Sequence, residues 1–143
     1  MGLFGNLFGR KTLTTTDEDF GELVSFSTKG SRVGWLIELT FLGDHIEIML
    51  AGDRTGLDES QKAILIKALL NERDIRAEST AALREQYQNA DLPFVSIEAH
   101  FNVKGLMVRD DGFELTFQQK AEQQYFFNVH FENNKQVGVS IDG

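Results

Sequence analysis

The sequence predicts an α+β domain: a mostly antiparallel, twisted sheet of six to seven strands in two meanders, with a bent pair of helices inserted between them and packed on one face. Three observations predict it. Apolar and polar residues alternate up to Gly52 and again after Pro93, the period of half-buried strands. Asp58 to Asn89 lies in the longest run without glycine or proline, and its apolar residues recur at helical spacing. Turn-forming residues separate the alternating runs closely enough for sequential hairpins, which makes neighbouring strands antiparallel.

Residues 1–16 read as a flexible arm and 17–143 as a single domain. In the arm, Leu3, Phe4, Leu7 and Phe8 precede Arg10 and Lys11. This is too short and glycine-rich for a secretory apolar core, and its basic residues follow the apolar ones where a signal peptide has them first. Asn6 stands where a myristoylation motif wants serine or threonine. Two alternatives remain for the arm: an amphipathic turn or two docking on the body or on a membrane surface, or a loosely held terminus. Thr12 to Thr16 reads as a polar spacer.

Gly21 to Thr28 is the first strand, ended by the turn Lys29-Gly30-Ser31. In the second, Val33, Trp35, Ile37, Leu39 and Phe41 alternate without a miss, and Leu42-Gly43-Asp44 closes a hairpin onto His45 to Gly52. There Ile46, Ile48 and Leu50 face the core, while His45, Glu47 and Met49 face away. Asp58 caps the first helix, with Gln61 placed to reach back in a variant capping box. Its stripe of Ile64, Leu65, Ala68 and Leu69 gives way at Asn71 to Asp74 to a second stripe, Ile75, Ser79, Ala82, Leu83 and Tyr87, out of phase with the first. Run straight, the segment would extend roughly 48 Å at 1.5 Å per residue, longer than a compact domain of this size is wide. Two helices meeting near Asn71 to Arg73 are therefore expected.

Asp91-Leu92-Pro93 ends the helical region. Residues 94–103 fit two readings: Val95, Ile97, Ala99, Phe101 and Val103 alternate as a strand, whereas Phe94, Ile97 and Phe101 suit a short helix capped by Asp91; the alternation favours the strand. Leu106 to Arg109 is β-prone, and Asp110-Asp111-Gly112 turns into Phe113, Leu115 and Phe117. Lys120 to Gln123 and Glu132 to Lys135 are the remaining turns. They bracket Tyr125, Phe127, Val129 and Phe131 and lead to Val137, Val139 and Ile141.

The 143 residues suffice for one core without staples. The absence of cysteine excludes disulfides, thiolate metal sites and thiol nucleophiles, and fits the cytoplasm. A net charge of −8 opposes general nucleic-acid binding and suits a basic partner, although ordinary solubility accounts for the same figure. No apolar run approaches the ~20 residues that stable membrane insertion requires.

Each histidine has a glutamate two residues away: His45 with Glu47, His100 with Glu98, His130 with Glu132. On strands each pair would share a face, and three neighbouring pairs could ligate zinc or iron. All three fall on the face predicted to point away from the core, with nothing to exclude water, so no metal or cofactor is assigned. No G-x-S-x-G elbow is present, Gly2, Gly5 and Gly9 open no phosphate loop, and Asp53 to Gly56 lacks the pattern of a calcium loop. No catalytic residue is assigned. The candidate binding residues are Leu36 and Phe126, apolar on the outward face, with Glu38, Glu47, His130 and Glu132 around them: aromatic and aliphatic anchors among acids, as on surfaces that take a basic partner.

Five features in order carry a resemblance: F-G-x-L at Phe20 to Leu23, the Trp35 strand, a strand ending Ala51-Gly52-Asp53, paired helices closing on Leu83 and Tyr87, and D-G-F-E-L from Asp111 to Leu115. The chain resembles small uncharacterised bacterial domains loosely associated with immunity-like proteins of polymorphic toxin systems. The resemblance implies a binder and carries over no catalytic residue. Two functions are thus expected of different kinds: a non-catalytic protein-binding domain, or a metal-dependent or small-molecule enzyme built on the His and Glu pairs.

Overall fold

The computed structural model describes residues 12–143, so the reading of Leu3 to Phe8 lies outside the described residues. The strands are β1 (Thr14–Asp17), β2 (Gly21–Lys29), β3 (Arg32–Phe41), β4 (Asp44–Asp53), the short β5 (Gly56–Leu57), β6 (Phe101–Val108), β7 (Phe113–Gln119), β8 (Phe126–Glu132) and β9 (Lys135–Asp142). Between β5 and β6 come α1 (Glu59–Leu70), α2 (Glu72–Asn89) and the single turn α3 (Ile97–His100). The sheet order is β1-β2-β3-β4-β6-β7-β8-β9, with β5 beside β4. Among the described residues nine strands replace the expected six to seven, because the short β1 and β5 have too few apolar residues to show a period. Thr14 to Thr16, expected to be spacer, are strand: threonine pairs with Val24, Leu23 and Glu22 on β2.

Every neighbouring pair is antiparallel except β4 and β6, which run parallel through Glu47↔Gly105 to Met49↔Met107. Parallel neighbours need a crossover, and the helices supply it. The two meanders are thereby joined at the centre of one sheet. Asp44 fastens the join: its Oδ2 accepts from the Val103 amide at 2.7 Å.

Asp58 caps α1, its Oδ1 accepting from the Ser60 amide at 2.9 Å, and the helix stops at Asn71, where α2 begins. Glu72 in the first turn of α2 accepts from the Leu42 amide at 2.8 Å. Leu42 has φ 53, an uncommon value for a branched side chain, and with Gly43 at φ 89 it forms the tight hairpin turn between β3 and β4. Burial of Leu42 and the Glu72 carboxylate hold it there. Gln61 does not complete a capping box. Its Oε1 accepts from Ala51 N at 2.8 Å and its Nε2 donates to Asp110 Oδ1 at 3.0 Å, pinning α1 to both meanders.

Within residues 94–103, Ile97–His100 correct the expected strand to a helical turn, and Phe101 to Val103 keep it. Ser96 Oγ accepts from Ala99 N at 3.0 Å and caps α3, so Ile97 and Phe101, four apart, turn to the core together. β6 then begins at Phe101 and absorbs the separate strand expected at Leu106.

The core fills the space between the helices and one sheet face. Trp35, Phe101, Phe117, Phe131, Leu65, Ile75 and Leu83 are completely or almost completely buried. Phe101 meets Phe117 and Phe127 edge to face at 6.0 and 5.1 Å, and Tyr87 bridges from α2 to Phe101 at 5.7 Å. Such pairs contribute roughly 0.5 to 1.5 kcal/mol each beyond their buried area. One buried cation interrupts this layer. Lys62 of α1 sits with Nζ 3.0 Å from Asp17 and 2.7 Å from Asp19, so the β1–β2 turn is tied to the helix. Burial raises the Asp17 pKa, but the Asp19 and Phe20 amides and the Lys62 ammonium outweigh it and hold the carboxyl below its ordinary 3.8. No helix among the described residues is long and apolar enough to cross a membrane.

Candidate functional site

The face turned away from the helices carries the residues singled out from the sequence, and the strand register sets their distances. Across the sheet, one row runs Val24, Leu36, Met49, Met107, Glu114, His130, Gly138. The adjacent row runs Glu38, Glu47, Gly105, Thr116, Asn128, Ser140. Leu36, Glu38 and Glu47 therefore form one cluster on β3 and β4. Phe126, His130 and Glu132 are on β8, three strand spacings from β4, or about 14 Å. The expected single patch of six is two patches, because β6 and β7 lie between them. The parallel β4–β6 pairing, which no local pattern announces, is what inserts them.

The face is also not uniformly wet. Glu47 is 6 %, Met49 7 % and Asn128 4 % exposed, whereas Glu38, Thr40 and His45 at its rim are open. Asn128 is engaged at both ends of its amide: its Oδ1 accepts from Thr116 Oγ1 at 2.9 Å and its Nδ2 donates to Asp142 Oδ2 at 2.8 Å.

On the β3–β4 side lies a groove of about 230 Å3, floored by Gly34 and Ala51 and walled by Phe26, Met49 and Met107, with Lys29 and Arg32 at one end. Its shape follows from small residues. Gly34 and Ala51 are cross-strand partners, and a Cβ on Gly34 would stand 2.6 Å from the Phe26 ring, so only glycine lets that ring lie against β3. At the other end Leu36 faces Met49, and the next row brings Glu38 directly opposite Glu47. Neither glutamate lines the groove; Glu38 is exposed beyond it and Glu47 is buried. Sequence reading found Leu36, Met49 and the two glutamates on this face but missed Phe26, Gly34, Ala51 and Met107. The available signal was the pair of small residues, Gly34 and Ala51, at matching distances from the Leu42-Gly43 turn.

The second patch centres on Glu114. Arg109 Nη2 approaches its Oε2 at 2.7 Å, His130 Nδ1 lies 4.0 Å from the same oxygen, and His130 Nε2 is 3.0 Å from Ser140 Oγ. Glu132 stands at the strand end opposite Lys135.

The three His and Glu pairs do not converge. His45 and Glu47 are on β4 and His130 and Glu132 on β8, while Glu98 and His100 are on α3, away from the sheet face on which they were expected. There Glu98 pairs with Arg76, and His100 Nε2 accepts from the Val95 amide at 2.9 Å while its ring packs on Tyr87 and Phe94. Among the described residues no three His, Asp or Glu side chains are placed to share a metal ion. Asp44, considered beside His45 as an acid and base pair, is committed to the Val103 amide. No family model, no curated protein and no solved structure matches this chain.

Proposed function

We propose that this chain is a non-catalytic, cytoplasmic protein-binding domain that takes a basic partner on the helix-free face of its sheet, as an immunity-like inhibitor would. One observation carries the reading: an apolar groove lined by Phe26, Met49 and Met107 lies on the helix-free face, and the exposed Glu38 stands on β3 one row beyond Leu36 and Met49. An apolar anchor flanked by lysine or arginine is the partner chemistry that such a surface accepts. Burial of the anchor supplies affinity, and the Glu38 carboxylate steers the encounter and fixes its register. The net charge of −8 extends that attraction over the surface.

Affinity capture with the full chain as bait, at low and high salt, tests the proposal. The expected result is one predominant protein with a Lys- or Arg-rich surface, released as salt rises, and lost when Glu38→Lys or Met107→Lys is the bait. Capture that neither substitution weakens would place the interface elsewhere.

A further inference from the structure

The described sheet ends in two strands with one neighbour each, β1 and β9, and these edges are built differently. β1 is four residues long, ends in Asp17, and is held to α1 through Lys62. Short, charged strands are how sheet edges are blunted against pairing with other chains. β9 runs for eight residues without proline and, among the described residues, pairs only with β8. Its first half is protected. Val137 is an extra residue between the Gln136↔Phe131 and Gly138↔His130 pairs, a bulge that bends the edge, and Glu78 of α2 accepts from the Gln136 amide at 2.9 Å. Gly138 to Asp142 has neither device. Every second residue there turns its N–H and C=O away from β8. Ile141 stands 48 % exposed on the helix side of the sheet.

We propose that Gly138 to Asp142 pairs antiparallel with the same segment of a second copy of this chain, about a two-fold axis at Ser140 perpendicular to the sheet. Facing residues of an antiparallel pair share a face, and this register is self-complementary. Val139 of each copy meets Ile141 of the other on the helix side, covering the exposed isoleucine twice. On the reverse side each Asp142 meets Gly138, never another carboxylate, and the space beside Gly138 is open: a Cβ there would touch nothing within 4 Å. The assembly closes at two, because the edges left outside are the blunted β1 strands. Two helix-free faces then lie side by side on one continuous sheet. This pairing does not depend on the proposed partner surface, which is on the opposite half of the sheet.

Sedimentation velocity of the full chain from about 5 to about 200 µM, a range in which weak specific contacts populate, reads the pairing directly. Wild type shifts from monomer to dimer across the series. Ile141→Lys, at an exposed position where folding can be verified by circular dichroism, raises the dimer dissociation constant tenfold or more, about 1.4 kcal/mol. Val137→Lys, on the bulge outside the paired segment, leaves it unchanged. Amide exchange compared at the two ends of the series shows added protection confined to Gly138 to Asp142. A monomer at the highest concentration, a dimer indifferent to Ile141→Lys, or protection gained elsewhere would overturn the proposal, and a mixed complex with a different protein at this edge would replace it.

Discussion

The two faces of this sheet come from the same strands, residue by residue in alternation, yet they do different work. The face under the helices is close-packed around Trp35, Phe101, Phe117 and Phe131 and admits polar groups chiefly where they fasten one element to another, as Gln61 and Lys62 do. The reverse face is a mosaic of Met49, Asn128, Glu47 and small residues, shaped by hydrogen bonds and by a groove rather than by aromatic contact. Stability therefore resides mainly on one face, and freedom to vary and recognise resides on the other. Apolar burial is nondirectional and additive in area, so the covered face can be filled by any well-shaped set of hydrophobes, whereas recognition needs particular groups left reachable.

The largest effect that would break this contrast is a core truncation. Phe117→Ala on the covered face should cost roughly 3 to 5 kcal/mol in urea unfolding, while Phe126→Ala, half-buried on the reverse face of the adjacent strand, should cost about 1 kcal/mol or less. Equal losses would mean that both faces carry the fold. Next comes Ser79, whose buried hydroxyl on α2 has no hydrogen-bond partner. Ser79→Ala removes that uncompensated group and improves helix propensity, so it should stabilise by about 1 kcal/mol; a loss of stability would show that the hydroxyl is satisfied in solution.

The smallest expected effect is a pH dependence. The folded-state pKa of Asp17 lies below 3.8, so its contribution is present above that pH and is lost as pH falls through the lower folded value. Asp19 first, then Asp17, raises Lys62 above its ordinary 10.5, so that contribution is present below 10.5 and fades as pH rises through the folded value. Lys62→Met, which keeps the apolar stem, should flatten both limbs of a plot of denaturation midpoint against pH. An unchanged acid limb would show that the Asp19 and Phe20 amides alone hold the Asp17 carboxylate.

The long alternating strands and the helix break at Asn71 were legible because each rests on a period read within one element: side chains repeat every two residues on a strand, and a phase slip ends a helical stripe. Residues 97–100 were misread for the same reason, while Phe101 to Val103 are strand as expected. Val95, Ile97 and Ala99 alternate by composition, yet the Ser96 cap and the i to i+4 partnership of Ile97 with Phe101 decided for a helical turn. β1 escaped notice because its four residues, three of them threonine, earn their strand from pairing with β2 rather than from an apolar rhythm.

By itself, then, the sequence determined where the long strands and the two long helices lie, which side of each long strand is apolar, and that helices would lie over the core side. Tertiary structure decided which strands are neighbours. The parallel joining of β4 to β6 separates Leu36, Glu38 and Glu47 from Phe126, His130 and Glu132, draws Met107 beside Met49 to wall a groove, and sends Glu98 and His100 to another part of the molecule. Local periodicity follows from the backbone of one segment, whereas strand order is set by the long-range closure of a chain through its helices, a condition that no window of sequence contains.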